Sequence, residues 1–526
     1  MGHDRSHALD HVVLVLFENR SLDNLLGHLY GPEDGRTFEG VIGKDLSNPI
    51  PEWAEHGAER GTVPYAVTTD MDAPNPDSGE EYFHTNTQLF NVLDEHNRLK
   101  TGEAVTAPWN APEPGATPTM DGFVTDYIST FTAEMGRQPT YGEYSQIMTG
   151  YTPEQVPVLN GIARGFGVFD HWFCEVPSQT FMNRSFWTAG TSSGFVVNSP
   201  ISSFTHLNTA ETLFDRLEAH GRTWKVYVQE LMAISFTGLI HMPRLKDRLG
   251  THIVPFAEFE RDAAAGTLPD FSLIEPNLTS GHSDYHPACG RALLAGGGGP
   301  AEEVPVDPPS SIRGGEAFLA RIYEAIRSAD STEGSNVYNT LLFIGWDEPG
   351  GNYDHVPPGP VPPPDPDAPA GQMDFRFDRS GYRVPAIVVS PWVEEGIVVN
   401  EEHRHTSMLA TLRRAWDLGD AFTERDAAAA PFDHLLSRES PRDPASWPDV
   451  EPLPVPEFHM NLVQMGRALS TLGKTAGGGM LEHAKEAGLR IPPELADPDN
   501  PPTPEQFIAG VREIAAQVFP RLASDE

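Results

Sequence analysis

The sequence predicts a three-layer α/β/α sandwich on a mostly parallel central sheet, with loop-rich insertions. Five short, apolar, β-branched runs read as strands buried on both faces, helical stripes lie between several of them, and acidic residues follow three of the runs directly.

The runs are His11–Phe17 (HVVLVLF), Trp224–Val228, Phe271–Ile274 (FSLI), Thr340–Ile344 (TLLFI) and Val384–Val389 (VPAIVV). Unbroken apolar stretches of this length fit strands with helices on both sides. Asn208 is placed to cap a helix, with Glu211 completing a capping box. Leu213, Phe214 and Leu217 form its buried stripe, and Gly221 is its stop. Phe318, Leu319, Ile322 and Ile326 make a second stripe just before TLLFI. A third helix runs from about Thr406 to Leu418, with Leu409, Leu412 and Trp416 inward and Gly419 ending it. The segment from about 30 to 150 is rich in Gly, Pro and aromatic residues, lacks a long periodic run, and reads as an insertion over one edge of the sheet. Ala295–Pro309 and Pro357–Pro369 are Gly/Pro-rich loops. Residues 1–442 therefore read as one catalytic unit. Residues 443–526 read as a helical extension or cap, with helices near 457–488 and 504–521.

The composition narrows the function classes. At 39% hydrophobic residues the chain can build a sizeable core, which excludes wholesale disorder. Its 36 basic and 75 acidic residues give a net charge of -39. Such a surface repels polyanions, so nucleic acid is excluded as a partner and anionic lipid is disfavoured. Cys174 and Cys289 cannot make a disulfide framework, and neither has thiolate-zinc spacing. The N-terminal stretch MGHDRSHALD reads as neither a basic leader nor a twin-arginine signal, and no apolar run nears 18 residues. The expectation is a cytoplasmic chain without integral membrane contact, or a secreted or periplasmic one if an export signal was removed. The C-terminal part is a candidate for contacts in a homo-oligomer.

The chemistry concentrates behind the strands. HVVLVLF runs into Glu18-Asn19-Arg20-Ser21, FSLI into Glu275-Pro276-Asn277, and TLLFI through Gly345-Trp346 into Asp347-Glu348. Ligands of open α/β sheets bind beyond the carboxyl ends of the strands, so these acids aim at one edge. Carboxylates gathered in a dry cleft repel one another unless a cation joins them, and a hard divalent ion is the simplest one. His282 and His286 follow Glu275, His355 follows Asp347-Glu348, and His405 follows VPAIVV. Singly each is a surface or structural histidine; grouped at strand ends they suit metal binding or proton relay. The stretch from Pro177 to Arg184 offers the Thr180 hydroxyl, the Asn183 amide and the Arg184 guanidinium, although by itself it reads as a turn entering a helix. A divalent ion would lower the hydroxyl pKa enough for in-line attack. Gly190-Thr191-Ser192-Ser193-Gly194 matches the GxSxG pattern of serine esterases, but it lacks the buried strand before it and the helix after it.

These residues resemble a known family. Glu18-Asn19-Arg20-Ser21-Leu22-Asp23 with Gly27, Thr180 with Asn183-Arg184, the stretch from Asp347-Glu348-Pro349-Gly350-Gly351 to Pro358, Arg383-Val384-Pro385, and His405-Thr406-Ser407 are similar to the bacterial phosphoesterase family. That family spans phosphatidylcholine-type phospholipases C and acid phosphatases of the A type, within the alkaline phosphatase superfamily. The resemblance covers roughly residues 10 to 420 and implies an alkaline-phosphatase-like fold. It implies metal ligands at Glu18, Asn19, Asp347 and Glu348, and a nucleophile at Thr180 that also touches the metal. It implies His84, His282 and His355 around the phosphate, with His286 and His405 as further candidates. His282 or His355 would then be the leaving-group acid. Asn183 and Arg184 are expected on the substrate phosphate. Met182 stands where members usually carry Pro.

The expected activity is metal-dependent phosphoester hydrolysis through a phosphothreonine, with one or more divalent ions (Ca, Mg, Mn or Zn). With no basic amphipathic stretch to sit on a bilayer, a soluble phosphorylated small molecule is the first expectation and a lipid headgroup diester the second. A phosphoryl transferase, a GxSxG esterase and a non-catalytic binding protein are the other readings.

Overall fold

The run HVVLVLF sheds its apolar surface only when covered on both faces, and it becomes the central strand β1 (His11–Phe17), buried from Val12 to Phe17. The protein is described by a computed structural model over residues 4–55, 61–229, 235–279, 281–294, 302–305, 310–456, 471–486, 488–496 and 502–518. Beside β1 lie β2 (Gly167–Phe169), β3 (Trp224–Val228), β4 (Ile253–Pro255), β5 (Phe271–Glu275), β6 (Thr340–Trp346), β7 (Ala386–Val389) and β8 (Ile397–Val399). Their spatial order is β8-β2-β7-β6-β1-β5-β3-β4. Val12 pairs in parallel with Phe271 of β5 and with Leu341 of β6. Only β7 runs against its neighbours, antiparallel to β6 and β2. The sheet is thus mixed but mostly parallel.

The helices are α1 (Leu22–Leu26), α2 (Tyr82–Phe90), α3 (Phe123–Met135), α4 (Pro157–Gly165), α5 (Thr180–Ala189), α6 (Leu213–Ala219), α7 (Ile312–Arg327), α8 (Thr406–Trp416), α9 (Thr471–Glu486) and α10 (Pro504–Val518), with shorter turns between them. Strand alternation separates two helical layers. Phe343 of β6 faces Trp187 of α5 (ring centroids 5.8 Å apart), and α8 packs against α5. Trp346, on the other face, meets Tyr285 at 5.2 Å, whose hydroxyl donates to Glu316 of α7 at 2.7 Å. Glu316 also accepts from the Val158 and Leu159 N–H groups at the start of α4.

Several boundaries differ from the sequence expectation. Thr212, not Asn208, caps α6, with Asp215 completing the box. Asn208 is buried instead, donating to the Ile240 carbonyl at 2.9 Å. Two capping signals four residues apart are locally equivalent, and burial chose between them. Helix α8 stops at Asp417, left-handed at φ 53°, before reaching Gly419. FSLI extends to Glu275 and TLLFI to Trp346, so the strands themselves deliver the acidic segments to the sheet edge. The insertion at 30–150 is not plain loop. Helices α2 and α3 pack around Leu89, Phe123, Tyr127, Ile128, Tyr144 and Ile147 in a core of their own, joined by Tyr353 and Tyr382. Every residue of α2 from Tyr82 to Leu89 is buried, so no one-sided stripe advertises it.

Of the loop 295–309, residues 295–301 and 306–309 lie outside the described residues, as do 457–470 and 519–521 of the expected C-terminal helices. Glu302–Pro305 pairs antiparallel with Arg291–Leu294. Met480, Ala484, Val511 and Ile514, from α9 and α10, share a core cluster with Phe181, Phe186, Phe236 and Leu239. Among the described residues no helix is long and apolar enough to cross a membrane.

Candidate active site

The three strand-end loops are laced together by backbone bonds. Beyond β1 the chain turns left-handed at Asn19 (φ 54°), a conformation that asparagine tolerates better than most residues. Gly350 approaches so closely that a Cβ there would stand 2.5 Å from the Asn19 Cβ. The Arg20 N–H donates to Glu348 O (3.2 Å), the Asn352 side chain to Asn19 O (2.9 Å), and the Glu18 N–H to Asp284 O (3.0 Å). Glu18, Asn19, Asp347 and Glu348 thereby gather at one edge, all buried. Arg184 reaches them from α5: its Nε donates to Asp347 Oδ2 at 2.9 Å, and its guanidinium lies 3.5 Å from Glu18 Oε1.

Thr180 opens α5. The loop before it is clamped by Asn183, whose Oδ1 accepts from the Glu175 and Val176 N–H groups while its Nδ2 donates to the Val176 and Ser178 carbonyls. The Thr180 hydroxyl is buried without a hydrogen-bond partner, and so are both Glu18 oxygens, Asn19 Oδ1 and Glu348 Oε1. Buried polar atoms are ordinarily satisfied, so five orphaned oxygens in one place point to an ion among them. All are oxygen, which suits a hard divalent cation. The residues expected to hold the metal therefore fit it.

The electrostatics agree. Burial, reinforced by Asp347, pushes Glu18 well above the usual carboxylate range. Burial with Glu80 and Asp347 does the same to Glu348. Burial raises Asp347 to about 7, with the Arg184 guanidinium pulling against it. These carboxylates resist ionising together without added positive charge.

The structure sorts the remaining expected residues. His282 Nδ1 lies 2.9 Å from Asp284 Oδ2. His286 accepts from Asn19 Nδ2 through its Nε2 at 2.9 Å, and its backbone N–H donates to Asp284 Oδ1. Both histidines thus border the carboxylate group. Besides Asp347, Arg184 bonds the Leu16 carbonyl through Nη2 at 3.2 Å and serves as counter-ion to the acids, while its Nη1 is buried without a hydrogen-bond partner. Asn183 lies beneath Thr180 with its amide fully engaged, so it too is unavailable to a phosphate. His405 donates from Nε2 to Asp347 O (2.6 Å), accepts from Trp172 Nε1 and stacks on Trp187. Burial keeps it neutral, at about 4, and it braces Asp347.

His355 turns elsewhere. Its Nδ1 lies 2.6 Å from Asp23 Oδ2 and its Nε2 3.1 Å from Glu39 Oε1, in a network completed by Asp354 and Arg383. This removes it from the role of leaving-group acid. His84 pairs with Asp126 at 2.8 Å; burial opposes its charge, but Asp126 and Glu81 hold it up at about 9. It stands behind Gly79, where a Cβ would come within 2.4 Å of the ring.

Sequence reasoning missed Glu80. This half-buried residue accepts from Asn19 Nδ2 at 2.6 Å and from Gln179 Nε2 at 3.1 Å, linking a predicted metal ligand to the residue before Thr180. It also missed Asp284, which orients both histidines. No strand or motif precedes Glu80, and its only signal is a pair of acids ahead of α2.

Two other groups hold donor atoms within 4.8 Å of one another: Asp77 with His286 and Cys289, and Asp23 with Asp354 and His355. In the first, His286 Nδ1 is engaged with the Pro287 carbonyl at 2.7 Å. In the second, Arg383 neutralises both acids, donating to Asp23 at 2.8 Å and Asp354 at 2.9 Å. Among the described residues, Glu18, Asp347 and Glu348 do not form a further group of this kind.

The GxSxG segment is no nucleophile elbow. Gly190 ends α5 in the left-handed region (φ 68°), and the buried Ser192 donates to Phe195 O at 2.7 Å. Ser192→Ala is expected to leave phosphoester turnover within about twofold and to lower stability by about 1 kcal/mol, the usual cost of one hydrogen bond. Loss of turnover in a folded Ser192→Ala protein would restore the esterase reading.

Comparisons with known proteins complete the picture. A family model described as the phosphoesterase family matches residues 9–419. Non-specific phospholipase C6 of Arabidopsis thaliana is 31% identical over 493 residues, covering 89% of this chain and 82% of that protein. Phospholipase C B of Mycobacterium tuberculosis is 25% identical over 514 residues, covering 89% and 85%. Among solved structures, an alkaline phosphatase superfamily protein from Vibrio parahaemolyticus matches with a TM-score of 0.30 and 13% identity, over 64% of this chain and 84% of that one. That likeness is too slight to argue from.

Proposed function

The chain belongs to the phosphoesterase family, and from that premise we propose that it is a metal-assisted phosphodiesterase of the phospholipase C type with Thr180 as nucleophile. The carrying observation is the buried Thr180 hydroxyl, unpartnered at the start of a ten-residue helix and accompanied by unpartnered oxygens of Glu18, Asn19 and Glu348. Relatives named phospholipase C support the lipid headgroup diester, the second expectation from the sequence, over the soluble phosphomonoester.

Glu18, Asn19, Asp347 and Glu348, with Thr180 Oγ1, would hold the ion, which when bound supplies positive charge to the nucleophile and to the phosphoryl oxygens. The α5 N-terminus adds its own positive end behind the Thr180 oxygen. Thr180 gives up its hydroxyl proton to solvent, and its Oγ1 alkoxide forms a bond to phosphorus as the bond to the leaving alcohol breaks. His282, oriented through Nδ1 by Asp284, gives its proton to the departing oxygen. Water then attacks the phosphothreonine, returning a proton to His282 and releasing the Thr180 alkoxide, which takes its proton back from solvent. Arg184 keeps Asp347 and Glu18 from repelling each other throughout.

The leaving group separates these roles. His282→Ala is expected to slow hydrolysis of phosphatidylcholine in mixed micelles by about 10²- to 10⁴-fold. First-turnover release of p-nitrophenol, which leaves without a proton and precedes the attack of water, should slow by less than about tenfold. Equal losses on both substrates would remove His282 as the acid. A wild type that cleaves p-nitrophenyl phosphate but neither p-nitrophenyl phosphorylcholine nor phosphatidylcholine would return the protein to the monoesterase reading.

A further inference from the structure

The segment that carries His282 turns on a strained residue. Tyr285 stands at φ 70°, a left-handed conformation that a bulky side chain adopts only where its surroundings impose it. Asp284, just before it, lies 2.9 Å from His282 Nδ1 through Oδ2 and accepts from the His286 N–H through Oδ1. The Tyr285 side chain goes the other way. It is fully buried against Phe17 (ring centroids 4.9 Å apart) and Trp346.

Three contacts hold this turn. The Tyr285 hydroxyl donates to Glu316 of α7 at 2.7 Å, and the Val158 and Leu159 N–H groups of α4 hold Glu316 itself at 2.7 and 3.0 Å. The buried Arg20 donates from Nε to the Tyr285 carbonyl at 2.7 Å and from Nη1 to the Ala73 carbonyl at 2.8 Å. The first turn of α7 is cut away to receive the segment. A Cβ on Gly314 would stand 2.3 Å from the His282 carbonyl oxygen, and one on Gly315 would stand 2.3 Å from the Tyr285 ring. The histidine segment is thus braced from the helical layer opposite the one that carries Thr180.

A buried tyrosine needs no left-handed backbone merely to pack. If Tyr285 relaxed to an ordinary φ, the peptide planes on both sides would rotate and carry Asp284 and His286 with them. We propose that Tyr285 is a positioning residue for protonation of the leaving group: latched to Glu316, it holds the turn that keeps Asp284 against His282. This inference rests on the reading of His282 as the acid and adds what sets its geometry.

The test uses the metal-loaded full chain. Tyr285→Phe keeps the ring and removes the latch. It should slow phosphatidylcholine hydrolysis about tenfold, because a small misplacement of a reacting group is costly. First-turnover release of p-nitrophenol from p-nitrophenyl phosphorylcholine, which needs no acid, should stay within about twofold. Glu316→Gln keeps the shape but cannot accept all three bonds, and should give the same split if Tyr285→Phe does not fold. In a His282→Ala background, Tyr285→Phe should add less than about a twofold further loss, since the residue acts through His282. Equal losses on the two substrates, an unchanged phosphatidylcholine rate, or a further tenfold loss without His282 overturns the proposal. If His282→Ala itself shows no split between the substrates, the acid assignment falls and this inference falls with it.

Discussion

Replacing Thr180 with alanine is expected to lower hydrolysis of p-nitrophenyl phosphorylcholine by about 10⁴-fold or more, as loss of a nucleophile does elsewhere. The protein should fold as well as before. The hydroxyl has no protein partner, so its removal orphans nothing and the lost methyl group costs only about 1 kcal/mol. A dead but stable protein is therefore the signature of a nucleophile rather than of a structural threonine. Chelation should abolish the wild-type rate, and added divalent ion should restore it in wild type but not in Thr180→Ala. If Thr180→Ala keeps more than a few per cent of the activity, the attacking group lies elsewhere.

The second large effect concerns stability. Arg383 is fully buried, and its guanidinium bonds Asp23, Asp354 and the carbonyls of Glu39 and Asp170. Burial opposes ionisation of Asp23, yet Arg383 and His355 hold its pKa below the ordinary value. Burial raises Asp354 to about 6 even with that guanidinium beside it. Arg383→Met fills the volume but strands two buried carboxylates, and should cost about 3–5 kcal/mol in urea unfolding. Without the guanidinium both acids have folded-state pKa values above their unfolded ones. The deficit is then full at high pH and shrinks as protons bind on acidification, so it should be larger at about pH 8 than at about pH 5. A deficit that is flat across that range would mean that packing, not charge, is what Arg383 supplies.

Much of the architecture was legible from local pattern. HVVLVLF, FSLI and TLLFI announce strands because only a covered sheet can bury such runs. The three-residue strands β2, β4 and β8 were not legible, since three apolar residues occur in any element. Nor was the reversed direction of β7, because an apolar run reads the same for either sense of pairing. Helices α2 and α3 escaped because α2 is buried all round, with Thr85, Asn86, Thr87 and Gln88 inside as well as its aromatic residues.

The site divides in the same way. Glu18, Asn19, Asp347 and Glu348 were visible because strand ends in such a sheet aim at a common edge, and Thr180 because a hydroxyl followed by amide and guanidinium matched a family pattern. What each neighbour does was decided in three dimensions. His355 lies eight residues after Asp347, yet the left-handed pair Gly350-Gly351 turns the chain away and seats it on Asp23. Asn183, written beside Thr180, spends its amide on holding that loop, and Arg184 pairs with the neighbouring acids. Glu80, 61 residues from Asn19 along the chain, ends 2.6 Å from its side chain.

The sequence by itself determined much of the sheet and the acids at its edge, because these follow from periodicity and from what immediately succeeds a strand, while the class of chemistry came from the family resemblance. The tertiary structure alone decided which side chains converge and which charges are neutralised internally. Convergence depends on left-handed turns, buried hydrogen bonds and long-range pairing, and none of these leaves a periodic trace along the chain.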